Sequence, residues 1–167
     1  MRNEWLRILL RNATAGCARL FGEVVPSQIE KEILIEAPID DVWHAVTEPE
    51  HIKQWFASEC ELDGTEGRVS FESGQTYYLH VEAFEPPHRF AYRWLHEKGT
   101  AARPDNSMLV EFTLQADKGH TRLRVVESGF EHVDWSDDTK AKYAEDHSQG
   151  WGILIARLRE YAPHAAK

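Results

Sequence analysis

The feature that most constrains this chain is its ending. From Glu59 to Ser128 six stretches of alternating residues succeed one another across short turns, and a single long helical pattern then closes the sequence. The stretches are Glu59 to Leu62, Arg68 to Glu72, Thr76 to Glu85, Arg89 to His96, Met108 to Ala116 and His120 to Ser128. Asp63-Gly64, Glu66-Gly67, Ser73-Gly74, Pro86-Pro87 and Asp117-Lys118-Gly119 punctuate them, which suits hairpins better than parallel crossovers. Phe90, Tyr92 and Trp94 share one strand face, as do Val110, Phe112 and Leu114, and Leu123 and Val125; Arg89, Arg93, Glu111, Arg122 and Arg124 point the other way. The closing pattern, about Asp138 to Tyr161, places Tyr143, His147, Trp151, Leu154, Leu158 and Tyr161 at steps of three or four. Ser136, Asp137 and Asp138 offer capping chemistry at its start. A sheet with one wide apolar face must be covered, and this helix is the one element long enough to cover it.

Upstream, Ile29 to Glu36 reads as a first strand with one wet face, closed by Ala37-Pro38. Asp40 and Asp41 then open a short helix through Val42, Trp43, Ala45 and Val46, and Pro49 and Glu50 open another through His51, Ile52, Trp55 and Phe56. The expected architecture is α+β: a curved antiparallel sheet of about seven strands wrapped around a long C-terminal helix, with two short helices between strands one and two. Gly150 and Gly152 interrupt the long helix, where each glycine costs about 1 kcal/mol relative to alanine. They either let the helix approach the sheet or leave space beneath it.

Pro26 and Ser27 set off a basic, amphipathic leader (residues 1–28) from a domain spanning 29–167. The leader carries Arg2, Arg7, Arg11 and Arg19 against Glu4 and Glu23, with Leu6, Leu10, Ala13, Cys17, Leu20 and Val24 at helical spacing. A helix docked on the domain, swapped with a neighbour, or partly disordered is the expectation, and contact of residues 1–25 with a membrane surface is the alternative. The formal net charge of −9, with acids spread through the body, repels a polyanion and excludes nucleic acid as an expected partner. Cys17 and Cys60 form no disulfide framework and no zinc spacing, which favours a reducing, cytoplasmic setting. The nine histidines are scattered, none pairing at metal-ligand spacing, so neither metal nor cofactor is expected.

Four blocks then carry a resemblance. Ile35 to Phe56 (IEAPIDDVWHAVTEPEHIKQWF), Glu85 to Trp94 (EPPHRFAYRW), Thr121 to Phe130 (TRLRVVESGF) and Gly150 to Leu154 with Leu158 resemble START-like (SRPBCC) domains of the heat-shock-protein-90 ATPase activator type. The resemblance covers about residues 29 to 161. It implies the helix-grip fold, with an apolar cavity between sheet and helix, and a family range from lipid carriers and polyketide cyclases to chaperone cofactors acting in the stress response.

Glu127 is the carboxylate to watch, since counting by twos from Leu123 and Val125 puts it on the apolar face, where desolvation would raise its pKa and suit it to acid or base work. The alternative is a frayed strand end that leaves it in water. His147, on the apolar stripe of the helix, either touches a ligand or is a satisfied core histidine. Trp55, Phe71, Tyr78, Tyr92, Trp94, Phe112 and Trp151 are the candidate cavity walls. Tyr78 conflicts in register with Tyr77, Leu79 and Val81, and Arg124 would need a bulge to turn inward. The expected function is non-enzymatic binding of a small hydrophobic molecule, lipid-like or aromatic and polyketide-like, with a cyclase or dehydratase and a chaperone cofactor as alternatives.

Overall fold

The computed structural model describes residues 25–95 and 98–165. The leader's helical stripe from Leu6 to Val24 and any membrane contact it makes lie outside those residues, as does His96 at the expected end of the fourth alternating stretch. Seven strands form one antiparallel sheet: β1 (Gln28–Ile35), β2 (Glu59–Asp63), β3 (Glu66–Ser70), β4 (Thr76–Glu85), β5 (Arg89–Leu95), β6 (Met108–Asp117) and β7 (His120–Ser128). Their spatial order is β1-β7-β6-β5-β4-β3-β2. The first two strands therefore sit on opposite edges. Helices α1 (Ile39–Thr47) and α2 (Pro49–Trp55) make that crossing, and α3 (Asp137–Tyr161) packs along β1 and α2.

Local chemistry accounts for these boundaries. Asp40 and Asp41 occupy the first turn of α1, and Pro49 sits in the first turn of α2, where its missing N–H costs nothing. Ser136 caps α3, its hydroxyl accepting from Thr139 N at 3.3 Å. Lys118 and Gly119 both take positive φ (53° and 87°), the conformation a two-residue hairpin between β6 and β7 requires.

Register confirms the two faces. Phe90 pairs with Phe112, Phe112 with Val125, Tyr92 with Val110, Val110 with Glu127, and Leu114 with Leu123, all buried. The opposite face is a ladder of ion pairs across strands, including Arg124–Glu30 (2.6 Å), Arg122–Glu32 (2.9 Å), Arg89–Glu111 (2.7 Å) and Arg93–Glu82 (2.8 Å). Arg124 thus stays outside the core; β7 has no bulge to turn it inward.

Two sequence expectations need correction. Tyr78 faces away from the helix, because Tyr77 and Leu79 are the buried set of β4 and strand alternation then turns Tyr78 outward. A bulge between Val81 and Ala83 later shifts the parity, which brings Phe84 back opposite Phe90 on the inner face. Gly152 is solvent-exposed, and a Cβ there would meet no atom within 4 Å, so it neither approaches the sheet nor roofs a cavity; Gly150 is buried.

Candidate functional site

Tyr143, His147 and Trp151 recur every four residues on α3, so one stripe of the helix faces the sheet. Opposite them β7 presents Glu127, fully buried at 0 % exposure. Its carboxylate is the point on which four side chains converge. Tyr143 Oη donates to Oε1 at 2.8 Å, Trp151 Nε1 to Oε2 at 2.7 Å, and Trp94 Nε1, reaching across β6 from β5, to Oε1 at 3.2 Å. His147 Nδ1 lies 3.1 and 3.0 Å from the two oxygens. Since a carboxylate only accepts, His147 must carry its proton on Nδ1 to make this contact.

The environment sets the ionisation of Glu127. Burial pushes the carboxyl up, but the charge of His147 and the hydrogen bonds from His147, Trp151 and Tyr143 together outweigh it and hold the group below the usual carboxylate range. The expectation of a raised value is corrected on this ground: desolvation was legible from strand parity, whereas the four donors come from other elements. As it stands the site is a satisfied buried anion that ties the middle of α3 to the sheet. Its lone pairs are occupied and it holds no proton to give.

Around this network lies a continuous aromatic layer. Phe56, just past the end of α2, stacks on Trp151 (5.9 Å between centroids) and Trp94 (6.1 Å) and meets Phe71 edge-on (5.7 Å). Trp151 meets Phe112 at 5.7 Å, and Phe112 meets Trp55 and Tyr92, each at 6.4 Å. Of the predicted wall residues, Trp55, Phe71, Tyr92, Trp94, Phe112 and Trp151 come together here, and Tyr78 does not. Sequence reasoning missed Phe56, Tyr77 and Tyr143 as members. Tyr143 was detectable, standing one helical turn before His147 on the same stripe.

Between α1, α2 and the sheet a cavity of about 20 Å³ remains, lined by Val46, Ile52, Trp55, Phe56, Tyr92 and Phe112 among others. That is room for about one water. Among the described residues no group of three or more His, Cys, Asp or Glu is arranged to hold a metal ion, and no helix is long and apolar enough to cross a membrane.

The family model described as "Activator of Hsp90 ATPase homolog 1-like protein" matches residues 36–162. Solved structures agree in fold. DynU16, from the dynemicin biosynthetic locus, is 25 % identical with a TM-score of 0.67 over 83 % of this chain, which spans only 48 % of DynU16. Protein BH1534 of Bacillus halodurans is 26 % identical (TM-score 0.64; 81 % of this chain, 96 % of that one). Aha1 of Colwellia psychrerythraea, solved as a dimer, shares the fold at 17 % identity (TM-score 0.66; 84 % and 98 %). No curated protein sequence matches.

Proposed function

Because the chain belongs to the activator of Hsp90 ATPase homolog 1-like family, we propose that it binds a small hydrophobic molecule, lipid-like or aromatic and polyketide-like, between its sheet and its helices, without converting it. The observation that carries this reading is the cavity against the aromatic layer, whose lining side chains are almost wholly apolar. At about 20 Å³ it does not admit such a ligand as it stands. Ile52, Trp55 and Phe56 line it from α2 and the residue that follows, a helix of seven residues joined to α1 through Glu48 and to β2 through a short connection, so displacing this short segment is the route by which the space enlarges. The similarity to DynU16 supports a ligand of biosynthetic origin. A cyclase or dehydratase would need Glu127 to exchange a proton, and the four donors around an ionised carboxylate disfavour that work.

Thermal shift and tryptophan fluorescence across fatty acids, sterols and aromatic polyketides test the reading. A ligand at a hundred times its Kd adds about 2.7 kcal/mol, which is roughly 5–10 °C in Tm for a chain of this size. If no compound moves either signal, the binding reading fails. An accelerated Hsp90 ATPase in that same circumstance would transfer the function to chaperone contact.

A further inference from the structure

Tyr92 stands in the middle of β5, 4 % exposed, and lines the cavity beside Phe90 and Phe112. Other tyrosine hydroxyls nearby are committed: Tyr143 donates to Glu127 at 2.8 Å, and Tyr161 lies 2.6 Å from His51 Nδ1. The Tyr92 hydroxyl has no hydrogen-bond partner among the described residues. A buried hydroxyl left unpaired costs free energy, and native cores hold few of them. Trp55 is the other lining residue with a polar side-chain atom, and its Nε1 already donates to Ala45 O at 2.9 Å. The side chains of the wall therefore offer a ligand one hydrogen bond, from Tyr92. A water in the same space would find that single partner among the side chains of the wall, where a buried water ordinarily makes two to four bonds.

The charge next door narrows the ligand. Val110 is the register partner of Tyr92 on one side and of Glu127 on the other, so the hydroxyl and the buried carboxylate belong to the same face two strands apart. An anionic ligand group would be repelled there. The phenol keeps its proton, because burial above all, and then the charge of Glu127, push it well above its ordinary range. It is a donor in want of a neutral acceptor. Resting on the binding function proposed above, we infer that the ligand is a neutral, predominantly apolar molecule bearing a carbonyl oxygen, which accepts the hydrogen bond of Tyr92 Oη, and that Tyr92 sets this specificity.

The test is a cycle of two probes and two proteins, 1-tetralone and its hydrocarbon analogue tetralin against the full chain and its Tyr92→Phe variant, by titration calorimetry. The ratio of ketone to hydrocarbon affinity should fall about fivefold on substitution, the worth of one neutral hydrogen bond. Without ligand, Tyr92→Phe should melt at the same temperature as the parent or higher, since it removes an unpaired polar group. An unchanged ratio overturns the carbonyl assignment while leaving hydrophobic binding intact. A lowered ligand-free Tm also overturns it, by showing the hydroxyl already partnered. If neither probe binds the unmodified protein, the inference falls, and a positive ligand screen with other compounds would still preserve the broader reading.

Discussion

Trp151 Nε1 donates to Glu127 Oε2 at 2.7 Å, with the indole 2 % and the carboxylate 0 % exposed. This bond joins the middle of the long helix to the penultimate residue of the last strand, next to the turn at Gly129 (φ 104°) that redirects the chain toward the helix. Sheet and helix are thus held in register by an ion rather than by shape alone, and the acceptor is more consequential than any one of its donors.

Replacing that acceptor should be costly. Glu127→Leu leaves the Trp94, Tyr143, His147 and Trp151 donors facing an aliphatic chain, and each buried donor left without its acceptor costs about 1–3 kcal/mol. Glu127→Gln should also destabilise, because its amide supplies one acceptor oxygen and turns an N–H₂ toward a donor. Urea unfolding measures both; a loss below about 1 kcal/mol in the Leu variant would contradict the network.

Acid should weaken the fold through the same group. The folded pKa of Glu127 lies below its unfolded value, so the native state binds its proton less readily, and the stability this contributes is complete above the unfolded pKa of about 4.3. It declines as the pH falls through the lower folded value. The unfolding free energy of the parent should therefore drop more steeply below about pH 4 than that of Glu127→Gln. Parallel slopes would show that Glu127 is not the responsible carboxylate.

Phe56 holds the aromatic layer against the cavity, touching Trp94, Trp151, Trp55 and Phe71. Phe56→Ala should cost about 3–5 kcal/mol and open an apolar void. Benzene, a probe for dry cavities, should then raise the melting temperature of the variant by more than that of the parent. No benzene effect would mean that α2 collapses into the space.

Cys60 is buried on β2, and its thiol is pushed up to about 11, first by desolvation. In a Cys17→Ser background it should resist a thiol-specific reagent at pH 8 under native conditions and react promptly in urea. Fast native labelling would show that this edge of the sheet opens readily.

Much of this was legible in the sequence, for a reason that particular residues make plain. Phe112 and Leu114 on one side of β6 and Glu111 and Thr113 on the other obey a period of two that any strand imposes, so the inner face could be assigned by counting. The same count put Glu127 inward, and the step of four put His147 and Trp151 on one helical stripe. At β4 the count sets Tyr78 and His80 against the apolar Tyr77, Leu79 and Val81, and the burial of Tyr77 and Leu79 follows the count; Tyr78 enters the expected wall against it, because it too is aromatic.

Period and polarity along the chain thus determined the elements and their buried sides, because these depend on neighbours within a few residues. Which groups meet across elements was decided by tertiary structure alone. Trp94 and Glu127 are 33 residues apart and His51 and Tyr161 are 110 apart, and each pair is brought together by strand order and helix docking. The ionisation of Glu127, the unpaired hydroxyl of Tyr92 and the small size of the cavity all follow from such meetings, since burial, partners and leftover volume are properties of the packed interior.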